Sequence, residues 1–261
     1  MNHFNKLIFG LAGFFIINMN VASAKIHTES VEYKDGTNVL EGYLAYDSSS
    51  SAKRPGVLVV HEWMGLGPFA KKRAEDLAAM GYVAFAADIY GKGVRPKDTK
   101  EAGELAGKYK GDRALLRSRV NAALHLLQKN EYVDTKKIAA IGFCFGGTTV
   151  LELARLGAPV KGVVSFHGGL SSPKPEDAKN IKGRVLALHG ADDPFTKSEV
   201  ADFQDEMRKA NVDWEFISYG GAVHSFTNPE AGNDNSKGAA YNKKADERSW
   251  QAMKDFFKEI F

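Results

Sequence analysis

Cysteine is almost absent from this chain: Cys144 is the only thiol among 261 residues. A disulfide within the chain is therefore excluded, and a thiol redox protein would lack a resolving cysteine. In an oxidising compartment a lone thiol is a liability unless it is buried and inert or needed for chemistry. The residues around Cys144 decide between these two roles.

A concentration of charge of either sign is also missing. The chain has 35 Lys and Arg residues against 32 Asp and Glu, and its cations are scattered among its acids. A nucleic-acid surface needs a concentrated basic stripe, so we predict no nucleic-acid partner. The composition, 44% hydrophobic and 26% charged, is that of an ordinary soluble globular protein without repeats or low-complexity tracts.

The apolar segment at the N-terminus is too short to cross a bilayer comfortably. It follows Lys6, covers residues 7–17 and leads to Ala22 and Ala24, the small-x-small pattern that signal peptidase recognises. We predict a signal peptide at residues 1–24, cleaved after Ala24. Loss of Lys6 then lowers the formal net charge from +3 to +2. The alternative is a retained N-terminal anchor.

No composition break divides residues 25–261, the predicted mature chain. We predict a single domain that is periplasmic or secreted, is a monomer and has no membrane contact after cleavage. Its buried strands alternate with helices of ten or more residues, which implies right-handed crossovers and a mainly parallel sheet covered by helices on both faces.

The individual elements follow from periodicity and from turn residues. An antiparallel hairpin is predicted at 26–33 and 39–46. Residues 89–111, rich in Gly and Lys, are predicted to leave the sheet as an excursion with a short helix. The other predicted strands are 56–62, 82–88, 137–143, 161–166, 184–189 and 212–219, and the helices are 69–80, 112–129, 146–156, 197–210 and 236–260.

The sequence around Cys144 predicts a nucleophile. Gly142 and Gly146 lie two positions either side of it, between a predicted strand and a predicted helix. In this Gly-x-nucleophile-x-Gly turn, a Cβ at either glycine would collide with a neighbouring element. The turn sets the thiol at a helix N-terminus, which favours an anion, and the N–H of Phe145 would form half of an oxyanion hole. The alternative is a chance glycine-rich turn around a buried cysteine.

A base and an acid follow in the chain order that this fold requires. His224 lies in a glycine-rich loop after a strand, and Asp193 follows the strand that ends at His189. We predict that His224 takes the thiol proton and that Asp193 fixes the tautomer of His224. Asp192 is the alternative acid, with a turn or capping role otherwise. Three histidines at strand ends, His61, His167 and His189, could line the site, and a structural role is the alternative for each.

These residues resemble the dienelactone hydrolase family, and the resemblance covers nearly all of the predicted mature chain. It implies the α/β-hydrolase fold, with a cysteine where most relatives of that fold use serine. Four segments carry the resemblance: residues 60–65 (VHEWMG), 87–90 (ADIY), 142–147 (GFCFGG) and 221–226 (GAVHSF).

The resemblance also implies roles near the thiol. A glutamate at the position of Glu62 contacts the resting thiol in this family, and substrate binding displaces it. A carboxylate beside a thiol opposes formation of the thiolate, so Glu62 would restrain Cys144 until substrate arrives. In an oxidising compartment this restraint would also slow oxidation of the thiol. The backbone N–H of Trp63 would be the second oxyanion donor. A surface ion pair is the alternative role for Glu62.

Substrate recognition departs from the family pattern. Members that open dienelactones bind the substrate carboxylate with two arginines, one shortly after the segment that ends at Tyr90. Here Lys92 or Arg95 could serve in that region, and Tyr90 is a further predicted substrate-binding residue. The second arginine is missing, since residues 227–229 read Thr-Asn-Pro. Dienelactone itself is therefore not the expected substrate.

We therefore predict a hydrolase that cleaves a small-molecule ester, lactone or thioester through an acyl-cysteine intermediate. Cys144 attacks, His224 transfers the proton, and the amides of Phe145 and Trp63 bind the oxyanion. No cofactor and no metal are expected, because no ligand cluster has suitable spacing. The alternative is an exported binding protein that has kept the fold without turnover.

Overall fold

The computed structural model describes residues 25–261, so the predicted signal peptide at 1–24 lies outside the described residues. One sheet of eight strands forms the centre of the fold. The strands are β1 (Ile26–Asp35), β2 (Asn38–Asp47), β3 (Arg54–Val60), β4 (Val83–Ala87), β5 (Val133–Phe143), β6 (Gly162–Phe166), β7 (Arg184–Gly190) and β8 (Trp214–Tyr219). The helices are α1 (Pro68–Ala79), α2 (Thr99–Gly111), α3 (Arg113–Lys129), α4 (Phe145–Arg155), α5 (Val200–Lys209) and α6 (Lys243–Ile260).

The strand order is β1-β2-β4-β3-β5-β6-β7-β8. Strands β3 to β8 pair in parallel, whereas β1 pairs antiparallel with β2, and β2 antiparallel with β4. The predicted fold class is therefore confirmed: an α/β-hydrolase sheet that is mainly parallel and begins with an antiparallel hairpin. The carboxyl ends of its parallel strands meet at one edge, where such folds bind their ligands.

Helices cover both faces of the sheet because its central strands are apolar on both sides. One buried cluster packs α1 and α6 against the sheet through residues such as Leu77 and Phe257. The other packs α2, α3, α4 and α5 through residues such as Leu116, Val150 and Phe203. Within residues 25–261 no helix is both long enough and apolar enough to cross a membrane.

Two predicted elements differ from the structure. Residues 89–111 contain a helix of 13 residues, α2, rather than a short one, and Asp98 caps it by accepting a hydrogen bond from the Glu101 N–H. The last helix begins at Lys243 and not near Ser236, because Gly238 is left-handed and Asn242 provides the N-cap. The preceding residues form only a single 3-10 turn at Asn235–Lys237.

Candidate active site

Cys144 occupies the sharp turn between β5 and α4. Its backbone lies at φ 54° and ψ −114°, a conformation that few residues with a side chain adopt. A Cβ added at Gly142 would lie 2.0 Å from the carbonyl oxygen of Gly146, and one at Gly146 would lie 2.2 Å from that of Val60. Both glycines are thus required by close backbone approach, which holds the thiol above the sheet at the N-terminus of α4.

His224 and Asp193 meet beside this turn. Asp193 follows β7, and its Oδ2 lies 2.8 Å from Nδ1 of His224, in the loop after β8. The same carboxylate accepts hydrogen bonds from the Thr196 hydroxyl and the Phe195 N–H, each at 2.8 Å. Asp192 points elsewhere and accepts a hydrogen bond from the Gly221 N–H at 2.9 Å. The structure therefore pairs Asp193, and not Asp192, with His224.

The charges around His224 favour its protonated form. Burial opposes protonation, but the adjacent Cys144 and the hydrogen bond with Asp193 outweigh burial and raise the pKa of His224 to about 10. Burial likewise opposes ionisation of Asp193, yet hydrogen bonds from His224 and Thr196 hold the pKa of this carboxyl below its usual value. His224 also forms a side-chain hydrogen bond with Cys144. Hydrogen bonds therefore connect Cys144, His224 and Asp193 in series.

The two predicted oxyanion donors belong to residues at the cleft that contains the thiol. Phe145 is the first residue of α4, so its N–H has no acceptor in a preceding helical turn. Trp63 follows β3, and its carbonyl oxygen accepts a hydrogen bond from the Tyr90 hydroxyl at 3.0 Å. Phe145 and Trp63 line the same cleft as Cys144. Tyr90 itself is buried and contributes by holding the Trp63 backbone.

Glu62 lies beside the site with its carboxylate bonded to another loop. Its Oε2 accepts a hydrogen bond from Nδ2 of Asn228 at 2.6 Å. Burial raises the pKa of Glu62, against the opposing hydrogen bond from Asn228 and the charge of His224. Asn228 lies in the segment where family members that open dienelactones have their second arginine. In this arrangement Asn228 holds Glu62, and the restraint of the thiol by Glu62 stays a prediction.

A cleft of about 560 Å³ opens above Cys144 and His224. Its walls combine aromatic and small residues with three charged ones. Phe195 is 60% exposed at the cleft, an unusual position for a large aromatic side chain. The residues that surround the reactive pair are Trp63, Gly103, Ala106, Gly107, Lys110, Phe145, Thr148, Gly169, Phe195, Thr196, Glu199, Ser225, Lys237 and Ala239.

Two predicted substrate-binding residues lie outside this cleft. Lys92 is paired with Glu32 and also lies 3.8 Å from Glu41, both on the N-terminal hairpin. Arg95 donates a hydrogen bond from Nε to the carbonyl oxygen of Leu66 at 2.9 Å and lines a separate depression. Neither Lys92 nor Arg95 is among the residues that line the cleft of Cys144, and a role of either in substrate binding stays a prediction. Their positive charge is already engaged by neighbouring acidic side chains and a carbonyl.

Lysines that the sequence did not single out line the cleft instead. Lys110 lies on α2, which is longer than the short helix that the sequence predicts. Lys237 lies in the 3-10 turn, within the range where the sequence predicts the last helix. The helical spacing of Gly103, Ala106 or Gly107, and Lys110 was the available signal, because these positions share one helix face. Without the tertiary fold, nothing in the sequence directs that face toward Cys144.

The buried histidines near the site are held in fixed orientations. His61 approaches the carbonyl oxygen of Glu62 with Nδ1 at 2.6 Å, and its Nε2 accepts a hydrogen bond from the Ile89 N–H at 3.3 Å. Burial lowers the pKa of His61 to about 4, so this ring is neutral and fixes the backbone next to Trp63. His167 contacts both the turn of Cys144 and the loop of His224, a role that sequence position alone did not reveal.

Known proteins resemble this chain in sequence and in fold. A structure of a dienelactone hydrolase-like promiscuous phosphotriesterase from metagenomic libraries is 44% identical, with a TM-score of 0.85 over 90% of this chain and 99% of the other. A probable 2-oxo-3-(5-oxofuran-2-ylidene)propanoate lactonase of Bradyrhizobium is 30% identical over 73% of this chain and 81% of that protein.

A third relative, a putative carboxymethylenebutenolidase of Saccharolobus solfataricus, is 28% identical over 78% of this chain and 89% of its own length. The family model of the dienelactone hydrolase family matches residues 40–261, which include most of the hairpin's second strand, the turn of Cys144 and the loop of His224. These matches do not favour the alternative of a binding protein without turnover. The chain therefore belongs to the dienelactone hydrolase family and is a dienelactone hydrolase-like hydrolase.

Proposed function

We propose that this protein hydrolyses a small-molecule carboxylic ester, lactone or thioester through an acyl-cysteine intermediate. The observation that carries the proposal is the series of Cys144, His224 and Asp193, of which Cys144 and His224 line one open cleft. The lactonase and carboxymethylenebutenolidase names of its relatives indicate the same class of substrate.

The first half of the reaction forms the acyl-enzyme. His224 takes the proton of the Cys144 thiol, and the sulfur attacks the substrate carbonyl carbon. The N–H groups of Phe145 and Trp63 stabilise the negative charge that develops on the carbonyl oxygen. His224 then gives its proton to the departing oxygen as the carbon–oxygen bond breaks. Asp193 keeps Nε2 of His224 directed at the thiol and stabilises the imidazolium.

The second half needs His224 as a base, and acylation itself provides for this change. Cys144 is the largest of the influences that raise the pKa of His224. Once the sulfur carries an acyl group it has no negative charge, so the pKa of His224 falls and the ring becomes neutral. Neutral His224 can then take a proton from water as that water attacks the thioester, which releases the acid and regenerates Cys144.

Trapping of the intermediate tests this function. The purified enzyme, mixed with a slow-turnover aryl ester and quenched in acid, is expected to carry one acyl group on Cys144, identified by peptide mass spectrometry. Release of the aryl alcohol should show a burst equal to the enzyme concentration. Turnover of the ester without any acyl group on Cys144 would exclude the mechanism.

The raised pKa of His224 predicts a loss of activity at alkaline pH. For an alkyl ester, whose leaving oxygen needs a proton, kcat/KM should fall as pH passes about 10, where His224 loses its proton. A nitrophenyl ester, whose leaving group departs without a proton, should fall less over the same range. Folding raises the pKa of His224 from its ordinary value of 6.5, so protonated His224 contributes fully to the free energy of unfolding below pH 6.5. This contribution is lost as the pH rises through about 10. Thermal unfolding at each pH distinguishes a loss of stability from a loss of catalysis. Equal declines of kcat/KM for both esters would contradict the role of His224 as an acid.

The lysines of the cleft predict a preference for substrates that carry a carboxylate. Replacing Lys110 or Lys237 by Met should raise KM about fivefold for a carboxylate-bearing ester, the size expected of an exposed charge pair. A neutral ester of the same shape should change little. Lys92→Met is the matched control, because Lys92 is paired with Glu32 outside the cleft. A larger effect of Lys92→Met than of either cleft variant would show that the carboxylate lies elsewhere.

A second reaction, on phosphotriesters, is favoured by one relative. The protein 44% identical to this chain is described as a promiscuous phosphotriesterase. A phosphotriester would place its phosphoryl oxygen where the N–H groups of Phe145 and Trp63 bind a developing oxyanion. We expect diethyl 4-nitrophenyl phosphate to release nitrophenolate and to phosphorylate Cys144 at one equivalent. Inactivation without modification of Cys144 would contradict a shared site.

The sequence of residues 1–24 supports export, with cleavage after Ala24 and a periplasmic or secreted mature protein. The protein recovered from a periplasmic extract is expected to have Lys25 as its first residue, which N-terminal sequencing would identify. A chain that keeps residues 1–24 in the membrane fraction would instead support the retained anchor.

A further inference from the structure

His167 is a buried histidine that the proposed reaction does not use. It directly follows β6, the strand next to β5, and its residue is 0% exposed. Its φ is 40°, in the left-handed region that a residue with a Cβ seldom occupies. Such a conformation persists only when surrounding contacts determine it, so the contacts of this ring are informative.

Both ring nitrogens of His167 are engaged, one by the turn of Cys144 and the other by the loop of His224. Nδ1 accepts a hydrogen bond from the backbone N–H of Cys144 at 3.1 Å, and the same N–H also donates to the carbonyl oxygen of Phe166 at 3.0 Å. An accepting Nδ1 has no proton, so Nε2 carries it and donates to the Thr227 hydroxyl oxygen at 2.8 Å. The ring is therefore neutral and in a single tautomer. It connects the turn that carries the nucleophile with the loop that carries the base.

The loop end of this connection is itself anchored. Thr227 lies three positions after His224, and its carbonyl oxygen accepts a hydrogen bond from Arg73 at 3.0 Å. Arg73 also pairs with Asp246 of α6 at 2.7 Å. The His167 ring meets the His224 ring edge to face, with centroids 5.3 Å apart. A shift of Thr227 would therefore change where His224 points.

We propose that His167 is a positioning residue whose neutral imidazole sets the alignment of Cys144 with His224 by bridging the Cys144 amide and Thr227. The inference rests on the proposed function and adds to it a group that never touches the substrate. Small displacements of reacting groups cost large factors in rate, so a bridge of this kind has a measurable effect on kcat.

The surroundings of His167 keep its ring neutral. Burial, the neighbouring His224 and the more distant Arg73 all lower the pKa of His167, while Asp193 opposes them. Neutrality matters because a second positive charge at this distance would oppose protonation of His224. The groups that face the ring are thus Cys144, His224 and Thr227, with Asp193 and Arg73 behind them.

Substitutions on both sides of the bridge test the proposal. His167→Phe keeps an aromatic ring but removes both hydrogen bonds, and should lower kcat about 100-fold with KM changed less than about threefold. His167→Asn retains an acceptor near the Cys144 amide and tolerates a positive φ, so it should recover part of this loss. Thr227→Val removes the hydroxyl at nearly constant volume and should lower kcat about 10-fold. Thr227→Ser should recover most of the activity that Thr227→Val loses.

Alkylation of Cys144 by iodoacetamide provides a readout that does not depend on turnover. If the bridge aligns His224 with the thiol, its loss should move the midpoint of the pH–rate profile up by about one unit, toward that of an unassisted thiol. A role in folding alone would lower the midpoint of thermal unfolding and leave this profile unchanged. His125→Asn, on the exposed side of α3, is the matched control and should change neither kcat nor the profile.

The outcomes separate this inference from the proposed function. Unchanged kcat and an unchanged alkylation profile in His167→Phe and Thr227→Val overturn the inference, even with a lower unfolding temperature. Where His167→Phe does not fold, the two Thr227 variants decide alone. A shifted alkylation profile in a protein that hydrolyses no ester would support the bridge and reject the proposed function.

Discussion

Cys144→Ala is expected to lower kcat/KM for an activated ester by about 10⁴-fold or more, because it removes the atom that forms the acyl bond. The activity that remains would come from the oxyanion donors and from substrate binding alone. Cys144→Ser keeps a nucleophile of similar size but replaces a thiol by a far less acidic hydroxyl, so it should also be strongly impaired. The fold should survive both changes, since β5, α4 and the flanking glycines are unaltered.

The comparison is made by steady-state kinetics with an aryl ester, together with thermal unfolding of each variant. An Ala variant that retains more than about a tenth of the activity would place the nucleophile elsewhere. An unfolding midpoint close to that of the unmodified enzyme shows that lost activity is not lost structure. Iodoacetamide should label the unmodified protein once, at Cys144, because the chain has no other cysteine.

Asp193→Asn is expected to have the second largest effect, a fall in kcat of about 10³- to 10⁴-fold. The amide has the volume of the carboxylate but cannot stabilise the imidazolium, and its NH₂ group favours the wrong tautomer of His224. The carboxylate of Asp193 contributes to the raised pKa of His224, so iodoacetamide should also alkylate Cys144 more slowly in this variant at neutral pH.

Asp192→Asn is the matched control for this change. Asp192 adjoins Asp193 in the chain, yet it accepts a hydrogen bond from the Gly221 N–H and does not contact His224. Its replacement should leave kcat within about twofold, the range expected of a surface position. If Asp192→Asn is the more damaging of the two, the acid of the series is Asp192.

The sequence was most informative where covalent geometry constrains residue choice. A Cβ at Gly142 or Gly146 would overlap backbone atoms, so the pattern around Cys144 is readable from the chain alone. The alternation of apolar strands and amphipathic helices likewise predicted the parallel sheet that the structure confirms. Resemblance to the dienelactone hydrolase family, carried by four short segments, is confirmed by the match over residues 40–261.

The sequence was least informative about the walls of the cleft. Lys92 and Arg95 lie at the position where family members place an arginine, but here ion pairs and a carbonyl hold their charges away from Cys144. The cleft instead takes Lys110 from α2 and Lys237 from a turn between β8 and α6. Each of these residues is distant from Cys144 in the chain, and its direction depends on how a whole helix or loop packs.

Cys144, His224 and the acidic pair at 192–193 were thus determined by the sequence, because tight turns and chain order leave few alternatives. The sequence favoured Asp193 over Asp192 as the partner of His224, whereas the distance of 2.8 Å between Asp193 and His224 depends on a contact between two loops that only the folded chain brings together. The same is true of the His167 bridge, whose two ends lie 23 and 60 positions away. Local sequence fixes backbone conformation over a few residues, whereas distances between loops depend on the packing of every strand and helix between them.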